Sequence, residues 1–202
     1  FSNGQIVQVG MDAYTGQVVV STSPVVPGNS TDGVAISPQV TNGGNYLDER
    51  VAWHVAVFPQ PFGFQAEYNI GRGPQLNETR TAVELGSLHG GYVQLFYNYK
   101  CDSYCQNIFP YVRMQEYFGG SKLQSNAPQN SVRETELGIE YQFNRALELT
   151  VAYTWSQRTS SDSATLPLNS FCSGSSSQVG CIQTPYQLQS GNLLRFQLQW
   201  SF

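Results

Sequence analysis

Ionisable side chains recur at alternate positions of apolar segments, the spacing that places them on one face of a β-strand. His54 lies between Trp53 and Val55, and Arg195 lies between Leu194 and Phe196. The set predicted to face water in the interior of a pore comprises Arg50, His54, Glu67, Arg80, Glu84, Arg113, Glu136, Glu140, Glu148 and Arg195. Rings of arginine attract anions in channels. The four arginines of this set are therefore predicted to form part of an anion-attracting track, which the acidic residues on the same faces oppose.

Catalytic chemistry finds little support in the sequence. Only two histidines are present, His54 and His89, and neither lies in a motif with a serine or an acid. A lone histidine in a strand more often lines a surface than catalyses a reaction. The Gly-Arg-Gly at 71–73 is no phosphate loop, because no helical pattern follows it. We predict no catalytic residue, no cofactor and no metal, and hence no enzyme.

The final residues give the clearest structural signal. Leu194, Phe196, Leu198, Trp200 and Phe202 alternate with polar residues, so this strand has one apolar face and one polar face. Its length suits a strand that crosses a membrane with lipid outside and water inside. The ending resembles the last strand of bacterial outer-membrane β-barrels, in which a terminal Phe is recognised during assembly. The resemblance implies that Phe202 and Trp200 form an assembly signal. The alternative is an edge strand of a secreted sandwich.

Composition and periodicity predict the same class for the rest of the chain. Charged residues make up only 12%, about half the usual share for a soluble protein, while aromatics reach 13%. No run approaches the roughly 18 apolar residues of a membrane helix. Period-two alternation predicts strands at 3–11, 16–22, 47–58, 62–72, 79–99, 109–118, 133–143 and 146–157, the first two separated by a turn at DAYTG and the fifth broken at 90–91. The fold class is all-β, a transmembrane antiparallel barrel of about eight or nine strands.

The connections between these strands alternate in length. Segments 24–46, 120–132 and 159–191 are predicted as long extracellular loops, and 59–61 and 144–145 as short turns. Short periplasmic turns and long external loops are the habit of such barrels. The whole chain is predicted to be a single transmembrane barrel segment. In a soluble sandwich, the length of a loop is not expected to depend on the end of the sheet at which it lies.

The four cysteines can be assigned from this topology. Cys101 and Cys105 fall in a connection on the periplasmic side, and Cys172 and Cys181 fall in a long external loop. A membrane about 30 Å thick separates the two groups, which exceeds the reach of a disulfide. We therefore predict the pairs Cys101–Cys105 and Cys172–Cys181 in an oxidising compartment.

Several segments together resemble a known family. They are YLDERVAWHVAVFPQPFGFQAEYNIGRGP, GGYVQLFYNYK, ELGIEYQFNRALELTVAYTW and FQLQWSF, and they look like the C-terminal portion of the phosphate-selective porin O/P family. Where such proteins often carry a Leu-Thr-Gly-Glu stretch after the second segment, this chain has Lys100 and the Cys101–Cys105 loop.

The resemblance implies a water-filled channel in the bacterial outer membrane, permeable to small hydrophilic solutes and preferring phosphate or other anions. It also implies a trimer of barrels of about sixteen strands, surrounded by outer-membrane lipid. We therefore expect this chain to be half of such a barrel, with an N-terminal half on another chain or fragment. A net charge of −4 argues against nucleic-acid partners. The alternative is a small self-contained barrel with a structural or adhesin-like role and no open pore.

Overall fold

The computed structural model describes residues 5–22, 44–77, 82–101, 105–124, 126–160 and 187–201, and these residues form one antiparallel β-sheet. Alternating apolar and polar side chains favour extended backbone throughout, and no helix occurs in the described residues. The nine strands are β1 (Val7–Val20), β2 (Gly44–Val57), β3 (Phe62–Leu76), β4 (Val83–Tyr97), β5 (Tyr99–Lys100), β6 (Asn107–Gly120), β7 (Gln129–Gln142), β8 (Leu147–Ser160) and β9 (Gln187–Trp200). A search of the described residues found no helix of the length and apolarity needed to span a membrane.

Each long strand pairs with its neighbour in the chain. The order is β1-β2-β3-β4-β6-β7-β8-β9, and the two-residue β5 pairs with β6. Hairpins of this kind are the simplest way to join antiparallel strands. Within the described residues the sheet does not close, because β1 pairs only with β2 and β9 pairs only with β8.

The register aligns side chains of like polarity across the whole sheet. One row runs Val7, Val57, Phe64, Leu95, Val112, Leu137, Tyr153 and Leu194 from β1 to β9. We call the surface formed by this row and the parallel rows of the same parity the apolar face. Its large side chains are exposed: Leu198 by 67% and Phe196 by 68%. In water-soluble proteins large apolar side chains are mostly buried, so this face shows the opposite pattern.

The other parity forms the polar face, and this face holds the more buried side chains. One row runs Gln8, Ala56, Gln65, Gln94, Arg113, Glu136, Thr154 and Leu193. Glu136 is only 5% exposed and Thr154 only 8%. Polar side chains of β6, β7, β8 and β9 reach one another across the strands, which indicates that the sheet is concave on this side.

The strand bounds differ from those that the alternation predicted, and most strands are longer, while the strand predicted at 79–99 spans Val83–Tyr97. The expected turn at DAYTG is absent, and β1 is one strand, because β2 pairs with it from Val7↔Val57 to Val20↔Gly44. The expected break at 90–91 is also absent, since β3 pairs with β4 through both glycines. The segments predicted as loops at 24–46 and 120–132 are shortened by β2, β6 and β7, and β8 and β9 shorten the one at 159–191.

The connections still alternate by side. Strands β2 and β3, β4 and β6, and β7 and β8 are joined at one end of the sheet, whereas β1 and β2, β3 and β4, β6 and β7, and β8 and β9 are joined at the other. At the first end, a disulfide joins Cys101 to Cys105, with 5.4 Å between their Cα atoms. Cys172 and Cys181 lie outside the described residues, and their pairing stays a prediction.

The exposed apolar face can be tested by placing a charge on it. Leu137→Arg is expected to lower the free energy of unfolding in a lipid bilayer by about 2–4 kcal/mol, because the guanidinium would lie in hydrocarbon. Leu123→Arg is the matched control, since Leu123 is 91% exposed in the connection between β6 and β7. Denaturant titration of bilayer-folded protein measures both variants. Equal stabilities for the two variants would show that the apolar face does not contact lipid.

Candidate functional site

The polar face contains the residues that the sequence predicted to face water. By strand register it carries Arg50, His54, Glu67, Glu84, Arg113, Glu136, Glu140, Glu148 and Arg195, while Arg80 lies outside the described residues. These residues are spread over seven strands. The register instead concentrates cations around two carboxylates, those of Glu136 and Asp48.

Glu136 on β7 is the centre of the first group. Tyr111 Oη donates a hydrogen bond to Glu136 Oε1 over 2.9 Å, and Thr154 Oγ1 donates to Oε2 over 2.8 Å. Arg113 Nη2 lies 3.4 Å and Arg195 Nη2 3.5 Å from the same Oε1. A carboxylate buried to this degree requires such charged and neutral donors. We call these five residues the Glu136 cluster.

The Glu136 cluster keeps a positive excess, because two guanidinium groups share one carboxylate. The Arg113 and Arg195 side chains remain 32% and 40% exposed, so they stay within reach of solutes above the sheet. The Nε atoms of both arginines are buried without a hydrogen-bond partner, so they are not accessible to a solute, and the positive excess rests on the charge of the guanidinium groups. Guanidinium groups favour an anion as ligand.

Further polar side chains of the same face form hydrogen bonds between β6, β7 and β8. Glu134, one row toward the longer connections, accepts hydrogen bonds from Gln115 Nε2 and, over 2.8 Å, from Ser156 Oγ. Arg158 donates through Nε and Nη2 to Asn130 Oδ1, at 3.0 and 2.8 Å. Each of these pairs bridges adjacent strands, and such pairs stabilise a sheet.

Glycines make room for rings on the polar face. A Cβ at Gly138 would collide with the Tyr111 ring, and one at Gly10 would collide with the His54 ring. Tyr111 therefore lies over Gly138, with its hydroxyl directed at Glu136. His54 Nδ1 lies 3.6 Å from Asp12 Oδ2.

Asp48 on β2 is the centre of the second group, which lies nearer the longer connections. Tyr14 Oη donates to Asp48 Oδ2 over 2.9 Å, and Arg50 Nε lies 3.4 Å from Oδ1. Lys122, from the connection between β6 and β7, also donates to Asp48 Oδ2 and lies 3.4 Å from Tyr14 Oη. We call these four residues the Asp48 cluster. It too has two cations for one buried carboxylate.

The environment of Lys122 favours its charged form. Burial alone would lower its pKa, but hydrogen bonds to Asp48 and Tyr14, together with the charge of Asp48, raise the pKa of Lys122 above its ordinary value. A raised pKa contributes stability that is complete below the ordinary lysine value and is lost as pH rises through the raised one. The ion pair with Asp48 is therefore fully formed at neutral pH.

Sequence reasoning found Arg50 but missed Asp48, Tyr14 and Lys122. Asp48 falls on the polar parity of β2, and Tyr14 falls on that of β1. Both residues could have been assigned to the polar face if β1 had been predicted as one continuous strand. Lys122 lies in a segment interpreted as an exposed loop, and no periodicity assigns a side chain there to a face.

The two residues predicted as an assembly signal are Trp200 and Phe202. Trp200 ends β9 opposite Leu147 on the apolar face, 73% exposed, and Phe202 lies outside the described residues. A groove of about 770 Å³, lined by residues that include Trp53, Tyr68, Met114 and Trp155 of the apolar face, offers an apolar surface. Among the described residues no three His, Cys, Asp or Glu side chains gather as a metal site.

Comparison with known proteins gives one match. The sequence model of the family described as phosphate-selective porin O and P matches residues 29–188, which is more than half of the chain. No curated protein matches the chain, and no solved structure matches it.

Neutralising the carboxylate of Glu136 is expected to have a large effect on the free energy of unfolding. Glu136→Gln is expected to lower the free energy of unfolding by about 1–3 kcal/mol, because two guanidinium groups and two hydroxyls lose a charged acceptor. Thr154→Val removes a single neutral hydrogen bond and is expected to lower it by about 1 kcal/mol. Denaturant titration of the bilayer-folded protein compares the two. A smaller loss for Glu136→Gln than for Thr154→Val would contradict the assignment of Glu136 as the centre.

Proposed function

This chain belongs to the phosphate-selective porin O and P family, and from that membership we propose that it lines a water-filled channel through which small hydrophilic solutes diffuse passively, with a preference for anions such as phosphate. Proteins of this family are channels of the bacterial outer membrane, so the chain is an outer-membrane protein and its family is not one of enzymes. The polar face is, in this proposal, the wall of the channel, and the apolar face contacts lipid.

The anion preference is supported above all by the Glu136 cluster. Its two arginines exceed its single carboxylate, and both guanidinium groups are part-exposed on the concave side. The Asp48 cluster repeats the excess with Arg50 and Lys122. A passing anion would meet a cation-rich group at two depths, and partial replacement of its hydration shell by such groups lowers its barrier. Acidic side chains elsewhere on the face, such as Glu67 and Glu140, oppose this attraction.

The open edges of the sheet support a larger barrel. Strands β1 and β9 each present an unpaired edge of 14 residues among the described strands. Unpaired edges of that length are incompatible with a lipid environment, because the N–H and C=O of every second residue there would lack a partner. We propose that further strands complete a barrel of about sixteen, the size that leaves an aqueous channel, and that three such barrels form a homotrimer.

The orientation follows from the connections. The longer ones at 21–43 and 161–186 are proposed to be extracellular, which leaves the Cys101–Cys105 connection in the periplasm. Cys172 and Cys181 would then pair outside the cell. Trp200 and Phe202 are proposed to serve as the assembly signal at the periplasmic end.

Ion selectivity tests the proposal directly. Assembled channels in planar bilayers, under a salt gradient, are expected to show a reversal potential of the sign that indicates anion preference. Combining Arg113→Gln with Arg195→Gln is expected to shift that potential toward cation preference, because the Glu136 carboxylate is then no longer outnumbered.

Arg145→Gln is the matched control, since Arg145 lies in the turn between β7 and β8 and belongs to neither cluster. This variant is expected to leave the reversal potential unchanged. Cation preference in the unaltered channel would overturn the proposed anion pathway, and absence of any conductance would overturn the channel itself.

A further inference from the structure

The apolar face carries two pairs of opposite charge on adjacent strands. In the first pair, Arg72 donates to Glu49 Oε1 through Nε, over 2.9 Å, and through Nη2, over 2.5 Å. In the second pair, Glu116 on β6 lies opposite Arg133 on β7, and both side chains are exposed. No ion pair joins Glu116 to Arg133 or holds either of them elsewhere in the part of the chain that the structure describes. We call Glu116 and Arg133 the open charge pair, because its charges are free to meet a ligand.

The open charge pair lies where lipid headgroups would meet the sheet. Glu116 and Arg133 both belong to the half of their strand nearer the connection between β6 and β7. A charge on the lipid side of a barrel is costly at the bilayer midplane and costs little near the membrane surface. The position of the pair therefore favours contact with polar headgroups over contact with hydrocarbon.

The groove of about 770 Å³ on the apolar face begins at this pair. It crosses β2, β3, β4, β6, β7 and β8 between two neighbouring rows of outward side chains. One row runs from Trp53 and Tyr68 to Glu116 and Arg133, and the other is apolar except for Thr135. The groove is therefore charged on part of one side and apolar elsewhere.

Small residues keep the groove open at its centre. Gly91 pairs with Tyr68 on one side and with Glu116 on the other, so no side chain separates these two residues. A Cβ at Gly91 would collide with the backbone oxygen of Glu67, so a larger residue does not fit there. Ala66, in the other row, also projects little from the sheet. The space between the two rows can therefore receive a narrow apolar chain.

The groove changes depth as it crosses the sheet. Trp53 lies in the half of β2 nearer the connection to β3, whereas Arg133 lies in the half of β7 nearer the opposite end of the sheet. The aromatic end of the groove is thus further from the membrane surface that the open charge pair faces. A lipid molecule has the same arrangement, with a polar head at the surface and apolar chains below it.

We propose that this groove binds a membrane lipid with a phosphoethanolamine headgroup, in which Arg133 binds the phosphate, Glu116 binds the ammonium, and one acyl chain lies along the groove toward Tyr68. The opposite charges of the pair match those of the headgroup. Guanidinium groups donate well to phosphate oxygens, and a carboxylate accepts hydrogen bonds from a primary ammonium. This inference rests on the proposed contact of the apolar face with lipid and not on conduction.

Headgroup recognition is tested by counting bound lipids. Assembled protein in detergent is titrated with phosphatidylethanolamine or phosphatidylcholine of the same acyl chains, and native mass spectrometry measures occupancy. The unaltered protein is expected to bind phosphatidylethanolamine several-fold more tightly, because the choline headgroup has no N–H to donate. Arg133→Gln is expected to weaken binding of both lipids several-fold, and Glu116→Gln is expected to remove the preference between them. Arg72→Gln is the matched control and is expected to change neither, because Glu49 already holds that guanidinium.

The apolar part of the groove is tested without changing charge. Ala66→Phe places a ring between the two rows and is expected to weaken binding of both lipids several-fold. Leu137→Phe is the matched control, since Leu137 is exposed on the same face but does not line the groove. It is expected to leave binding unchanged. Full affinity in Ala66→Phe would overturn the groove as the site of the acyl chain.

The remaining outcomes distinguish the occupants of the groove. Equal affinities of the unaltered protein for the two lipids, or equal losses in Arg133→Gln and Arg72→Gln, would overturn the headgroup site. Dissociation of the oligomer in Arg133→Gln with an unchanged lipid count would assign the groove to contact between copies of the chain and would overturn the lipid as its occupant. The masses are recorded without a current, so failure of the proposed channel would show separately, as expected lipid binding in a protein that does not conduct.

Discussion

The alternation of side chains across aligned strands is the constraint on which the rest of the structure depends. On adjacent strands, residues of the apolar face pair with residues of the apolar face. Apolar rows therefore run unbroken from β1 to β9. A shift of one residue between any two strands would exchange the faces. Such a shift of β7 against its neighbours would turn Glu136 to the apolar face and separate it from Arg113 and Arg195. The apolar face and the polar networks thus both depend on the same register.

Hydrogen bonding on the polar face serves a different purpose from that in a soluble core. In the Glu136 cluster the hydroxyls of Tyr111 and Thr154 donate hydrogen bonds to the carboxylate, and two guanidinium groups share its single negative charge. The hydrogen bonds fix the position of the carboxylate, while the second guanidinium keeps the cluster positive. In the proposed channel the cluster is therefore ordered by its hydrogen bonds and attractive to anions by its charge.

The strands could be predicted from the sequence to a greater degree than the clusters. Period-two alternation identified the apolar face and the polar parity of Arg113 and Glu136, because both follow from local spacing. It could not bring Asp48 to Lys122, which is 74 residues away and lies outside any periodic segment. The predicted turn at DAYTG was wrong for a related reason. Turn-forming residues there are overridden by a complete partner strand in β2, an effect that no local pattern contains.

The separation between Lys122 and Asp48 also bears on the order in which the protein acquires its structure. Hairpins such as β7–β8 join residues close in the chain, so they require little loop closure. The connection between β6 and β7 contacts residues that follow β1, end β3 or lie on β2, so its contacts can form only after these strands have assembled. The region where this connection meets the ends of β1 and β3 is consequently expected to form last. Its contacts are also expected to open first when the sheet begins to unravel. The sheet and the contacts of the connection between β6 and β7 are therefore expected to form at separate times.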